Sequence, residues 1–346
     1  MSDFSSLGVQ KIDHVEFAVA ELQPALDLFY RLGFEQVQSR EIRERQAQSH
    51  LLILGNARVL LTRSTLPSDP VAAFVSNHGD GLFNIGLLCG DAVSALELAT
   101  KRGAEALDPP KAYKKDFGEA QRASIRAFGS VRFTFISRQG TLFGEGFEAP
   151  MRADPSEGIS EIDHFVPTVS ADEQPGLAKC LEQVLGLGKL SQSNSPRYFS
   201  EVYVGGDPGL RVPVLTPSAL NPAREFLERN LGSGIQSLGL RTQNLEATLA
   251  QLKPRGISFV PVPAAYYEAL PARGLGSEKR YTACLDAGAM IDTEADGAYL
   301  HAVTQPMVGP FRFQLLERQN AHGVGENSFL ALARAVERER SASRIP

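Results

Sequence analysis

A chain of 346 residues with 43% hydrophobic side chains is long enough for two domains and apolar enough to bury a core in each. Its net charge of −5, from 35 basic and 40 acidic residues without strong clustering, excludes the electrostatic footprint of a nucleic-acid or anionic-lipid partner. No window reaches the length of a membrane span, Met1 to Gln10 has neither a basic start nor an apolar stretch, and Cys89, Cys180 and Cys284 are few and far apart as reduced thiols are, so a soluble cytoplasmic protein is expected.

Residues 12–20 alternate apolar and polar side chains like a half-buried strand, and Pro24 to Leu32 carries apolar residues at helical spacing up to a Gly33 stop. Three short β-favouring runs follow, Phe34 to Val37, Leu51 to Leu54 and Ala57 to Thr62, with Gly55-Asn56 as the turn between the last two. The unit reads βαβββ. The same order recurs from Leu82 to Phe147, from Glu161 to Leu215 and from Gly234 to Glu317, giving four units in two pairs and an α+β fold. Pro150 to Gly158, rich in turn residues, is the expected linker between a domain at 1–150 and a domain at 159–346. Two insertions interrupt the pattern. Asn221 to Leu231 reads as a helix capped by Asn221 with Pro222 at its first position, and Pro271 to Asp296 reads as a Gly-rich excursion of the kind that covers sites. From Asn327 to Arg340 a helix is expected whose Phe329, Leu330, Leu332, Ala333 and Val336 share an apolar face that docks, with Glu337 to Arg340 on its solvated side.

The repetition extends to individual residues. Ile12-Asp13-His14 is answered by Ile162-Asp163-His164, Leu32-Gly33-Phe34 by Leu185-Gly186-Leu187, and Asn84-Ile85-Gly86-Leu87 by Ser237-Leu238-Gly239-Leu240. One such match arises by chance; ordered matches indicate a duplicated fold.

Ile162-Asp163-His164, Gly234-Ile235-Gln236, Pro263 to Glu268, Gly309-Pro310-Phe311 leading into Glu317-Arg318-Gln319, and Gly323-Val324-Gly325 followed by Phe329 carry a resemblance over nearly the whole chain. It is to the 4-hydroxyphenylpyruvate dioxygenase family of the vicinal oxygen chelate superfamily. The resemblance implies two tandem open β-barrels, the first structural and the second holding one Fe(II) on two histidines and a glutamate, with self-association of the chains. That triad leaves coordination positions open for a 2-oxo acid and O2.

Here His164 stands at the first ligand position, Ser237 at that of the second histidine and Gln314 at that of the glutamate. A serine hydroxyl is a poor donor to Fe(II), and a glutamine amide brings no negative charge, so affinity is expected to fall, each tenfold loss being about 1.4 kcal/mol. His301, where the family carries a glutamine that touches substrate, offers a compensation. If its strand pairs with that of Gln314, then His164, His301 and Gln314 would form a new three-point metal site; His301 otherwise lines the pocket or acts as acid or base without metal. Other pocket positions diverge as well. Ser200 matches a family serine, but Leu215 and Ser328 replace asparagines and Val324 replaces a phenylalanine that packs on the substrate ring. A pocket rebuilt in this way rejects ligands made for the old polar pattern, since unpaired buried groups cost about 1–3 kcal/mol each.

His14 suggests a second metal position with Asn84 and Glu145, though a histidine in a half-buried strand more commonly bonds locally. His50, His78 and His322 are expected in loops or turns, and Tyr266-Tyr267 as packing at a loop edge. Gly323 to Gly325 lacks the lysine and spacing of a phosphate loop, so nucleotide chemistry is not supported. Three functions stay open for a small-molecule ligand. They are a dioxygenase-like enzyme for an aromatic or 2-oxo acid with a degenerate iron site, a metal-independent enzyme using His301, and a binding protein without turnover.

Overall fold

The computed structural model describes residues 7–151, 158–190, 197–205, 209–275, 282, 285–294 and 297–342. The alternating stretch at the start forms β1 (Lys11–Ala18), and the helical spacing after it forms α1 (Leu22–Leu32), which buries Ala25, Leu26, Phe29 and Leu32 and ends on Gly33 at φ 99°. Only glycine takes that left-handed stop without strain. Then come β2 (Glu35–Ile42), β3 (Ala47–Leu54), β4 (Ala57–Ser64) and α2 (Pro70–His78). The second unit is β5 (Gly81–Leu88), α3 (Ala92–Lys101), β6 (Ala106–Lys115), β7 (Gly118–Phe128) and β8 (Val131–Gly140).

The second half repeats the plan with β9 (Ile159–Thr168), α4 (Gln174–Lys179), β10 (Gly188–Lys189), β11 (Glu201–Gly205), β12 (Leu210–Val214) and α5 (Ala223–Arg229). It continues with β13 (Gly234–Thr242), α6 (Leu245–Leu252), α7 (Ala264–Glu268), β14 (Met290–Glu294), β15 (Gly297–Val303), β16 (Arg312–Gln319) and α8 (Glu326–Ala342).

Strand order is β2-β3-β4-β1-β5-β8-β7-β6 in one sheet and β10-β11-β12-β9-β13-β16-β15-β14 in the other, the same order shifted by eight. Within a unit the first strand pairs parallel with the last, as in β1 with β4 and β13 with β16, because the helix supplies the crossover that parallel strands need. Between units the first strands pair antiparallel, β1 with β5 and β9 with β13, and join two units into one curled sheet.

Several expectations need correction. Pro271 to Asp296 is not all loop: β14 lies in it and pairs antiparallel with β15, its buried Met290 and Ile291 being too short a run to show a period. Helix α5 begins after Pro222 rather than on it, with Asn221 Oδ1 accepting the Ala223 N–H at 3.2 Å. His50 lies inside β3, where its Nδ1 is 2.8 Å from Gln36 Oε1. Tyr266 is a fully buried side chain of α7 whose hydroxyl both donates to the Ile291 carbonyl and accepts from its N–H. Most of the expected linker, 152–157, and Cys284 lie outside the described residues, while Cys89 and Cys180 are buried free thiols. Among the described residues no helix is long and apolar enough to cross a membrane.

The two sheets meet through aromatic rings. Phe17 of β1 sits edge-on to Phe311 at 4.9 Å, Phe29 of α1 edge-on to Phe313 at 5.7 Å, and Phe133 against Phe165 at 5.8 Å. Such pairs add about 0.5–1.5 kcal/mol each beyond the area they bury. His78 ties the same junction with polar bonds, its Nδ1 2.8 Å from the Asn230 carbonyl and its Nε2 2.8 Å from Ser130 Oγ. His78→Ala is therefore expected to lower unfolding stability by about 1–2 kcal/mol in urea titration. An unchanged midpoint would show that the junction does not depend on these bonds.

Candidate active site

Three central strands of the second sheet build the site. His164 on β9 is in register with Gly239 on β13, and Gly239 is in register with Gln314 on β16. Because the middle residue has no side chain, the His164 ring lies across it and its Nε2 comes 3.1 Å from Gln314 Oε1. A Cβ on Gly239 would stand 2.3 Å from the imidazole. The first sheet repeats the device with His14, Gly86 and Thr134, where a Cβ on Gly86 would stand 2.4 Å from the His14 ring. This is the physical content of the repeated glycine in Asn84-Ile85-Gly86 and Ser237-Leu238-Gly239.

The repeated Asp-His pair also has a structural reason. His164 Nδ1 lies 2.8 Å from Asp163 Oδ1, and Arg318 grips the same carboxylate with Nε and Nη2, each at 2.7 Å. Arg318 Nη1 donates to the Gly323 carbonyl at 2.7 Å, so one guanidinium joins the His164 support to the Gly-rich turn before α8. In the first sheet Asp13 is held between His14 and Arg138 in the same way. Burial alone would raise these carboxyl groups, but the arginine and histidine partners outweigh it and hold both well below the usual carboxylate range. A depressed folded pKa contributes stability above the ordinary value of 3.8 that is lost as pH falls below it.

The expected pairing of the His301 strand with the Gln314 strand is present, β15 against β16. It brings His164, Gln314 and His301 together in a line with the amide in the middle. The direction of the chain of bonds follows from Ser328, whose hydroxyl donates to the Gly325 carbonyl at 2.6 Å and so accepts from His301 Nε2, also at 2.6 Å. His301 Nδ1 then accepts from Gln314 Nε2 at 2.9 Å, and the other N–H of that amide goes to the Tyr299 hydroxyl at 2.8 Å. Gln314 Oε1 is thereby turned to His164. Burial, with smaller contributions from His164 and Arg318, pushes His301 down to about 3. Both its ring nitrogens are engaged.

A cavity of about 660 Å³ opens beside this line, within the range of small-molecule pockets. Ser237, Leu215, Gln314 and Phe329 are on its wall, whereas Ser200, Val324, Ser328, His164 and His301 are not. Ser200 Oγ donates to the Val214 carbonyl at 3.0 Å, Val324 is buried in the turn, and Ser328 is the fully buried end of the His301 bond chain. Phe329 stacks on Tyr198 at 4.6 Å and meets the His301 ring edge-on at 4.7 Å. Reading the sequence missed Tyr198, Phe199, Gln236 and Arg312 on the wall. A register shift between Ile235 and Ser237 brings both Gln236 and Ser237 to it, which strict alternation does not anticipate. Leu332, Ala333 and Val336 of α8, expected as a docking face, form another part of the wall.

The proposed second position at His14 is not assembled. Asn84 bonds Glu16 and Thr134, Glu145 bonds Arg122, and His14 is held by Asp13. Among the described residues no group of three His, Cys, Asp or Glu side chains is placed to hold a metal.

The two duplicated sheets, each of eight strands in the same order, give the chain the α+β fold of tandem vicinal oxygen chelate domains. Residues 13–120 match the Glyoxalase/Bleomycin resistance protein/Dioxygenase superfamily. Over nearly its full length the chain is similar to 4-hydroxyphenylpyruvate dioxygenases: it is 26% identical to the one from Coccidioides posadasii, covering 95% of this chain and 92% of that protein. It is also 26% identical to hemolysin VllY of Vibrio vulnificus, with 96% of each covered. A triple mutant of 4-hydroxymandelate synthase from Streptomyces coelicolor superposes with a TM-score of 0.80 at 22% identity, covering 96% of this chain and 99% of that one.

Proposed function

We propose that the second barrel takes up a small aromatic or 2-oxo acid, as a dioxygenase-like site whose iron centre has degenerated. The observation that carries this reading is the state of Gln314. At the position of the family's glutamate there is a neutral amide whose two N–H groups are spent on Tyr299 and His301 and whose oxygen faces His164. Ser237 offers an uncharged hydroxyl, so the donor set supplies no negative charge to a dication, and these residues do not fit a ferrous ion held as the resemblance implies. The aromatic wall and the polar Ser237 and Gln314 suit a ligand with a ring and a short polar end. Seclusion of His301 behind Phe329 gives the metal-free acid or base reading no support.

Oxygen uptake tests the reading. With ferrous salt and 4-hydroxyphenylpyruvate the purified protein is expected to consume oxygen no faster than the salt alone, while calorimetry detects acid binding. Rapid, protein-dependent uptake would reject the degenerate centre.

A further inference from the structure

We infer that Arg312 is the carboxylate anchor of this cavity and that its ligand is a small monocarboxylic acid with an apolar, ring-bearing body; the inference rests on the acid-binding reading above. Among the described residues three charged side chains line the cavity, Arg312, Glu225 and Glu337. Glu225 is 58% exposed and Glu337 is exposed, so both lie where water screens them, whereas the Arg312 side chain is only 16% exposed. Glu225 neutralises Arg312 poorly: it stands 3.9 Å away and is 3.5 Å from Arg229 as well. Burial pushes the Arg312 guanidinium down from its usual value, against a weaker opposing pull from Glu225. A partly desolvated cation with a loose, shared counter-ion on a cavity wall gains most from a ligand that brings its own carboxylate.

The register says where the rest of such a ligand goes. Arg312 and Gln314 alternate on one face of β16, about 7 Å apart along the strand, and Ser237 lies directly opposite Arg312 in β13. An acid held at Arg312 therefore presents a 2-oxo or hydroxyl group to Ser237, and its ring meets Tyr198, Phe199 and Phe329. The guanidinium is where this chain keeps a positive charge in a barrel whose metal donors are uncharged.

Calorimetry with metal-stripped protein tests this, using phenylpyruvate, phenylacetate and phenylacetamide, the last two being matched in shape and different in charge. The acids are expected to bind at least about tenfold more tightly than the amide. Arg312→Gln should bring the acids to the affinity of the amide and leave the amide unchanged, and Arg312→Lys should restore part of the difference. Equal binding of acid and amide by the native protein, or acid binding untouched in Arg312→Gln, would overturn the anchor and leave an acid-accepting cavity standing. Failure of all three compounds to bind would overturn both. The comparison of acid and amide needs no variant, so it holds even if Arg312→Gln folds poorly.

Discussion

Asp163→Ala is expected to destabilise the protein by about 3–5 kcal/mol, because it takes from the buried Arg318 guanidinium the carboxylate that it grips through Nε and Nη2. The Asp163 carboxylate is 3% exposed and Arg318 is 4% exposed, so neither charge reaches water when its partner is removed. The loss should be visible as a lower denaturant midpoint with an unchanged slope. Asp13→Ala should behave alike, since Asp13 sits at 2% exposure between Arg138 and His14. Both variants should also lose part of the native protein's sensitivity to acid below the ordinary carboxylate value of 3.8. A cost under about 1 kcal/mol would mean that the pair is solvated and that the repeated Asp-His motif is not a structural strut.

Gly239→Ala should cost about 3 kcal/mol, at the upper end of overpacking effects, since the added methyl stands 2.3 Å from a ring that Asp163 prevents from swinging away. The same change should break the His164 to Gln314 contact and weaken ligand binding in the neighbouring cavity. Thermal unfolding and calorimetric binding measured side by side separate the two losses. Normal stability together with normal binding would contradict the placement of the His164 ring over this glycine.

Much of the architecture was legible in the chain because duplication writes each signal twice. β1 and α1 announced themselves by period and by Gly33, and the repeated Ile-Asp-His gave the position of β9. The arginines that hold those aspartates were not legible, because Arg138 and Arg318 lie more than a hundred residues from their partners and any surface arginine looks the same in sequence. Gln314 stands out as a substitution in the sequence, but its bonds to Tyr299 and His301 depend on the register of β15 against β16, which no local pattern reveals. Ser328 reads as a pocket residue; it lies in the first turn of α8 with its side chain buried, its hydroxyl accepting from His301 and donating to the Gly325 carbonyl, a contact that the sequence does not reveal. Arg312 does not stand out in the sequence for a related reason: alternation puts it on the same face as Gln314, but its value as a cation depends on how little of it water reaches.

The degeneration proposed for the iron centre is confined to two side chains. The strands, the glycine platform and the Asp163 strut that would position a first histidine ligand are all in place around His164, while Ser237 and Gln314 supply no charge. Restoring those two side chains, Ser237→His with Gln314→Glu, should therefore be enough to recover ferrous binding. Iron content per chain, measured anaerobically after loading with ferrous salt and removal of the excess, tests this most directly. The native protein should retain far less than one iron and the double variant close to one; a full equivalent in the native protein, with the ion seated on His164, Ser237 and Gln314, would contradict it.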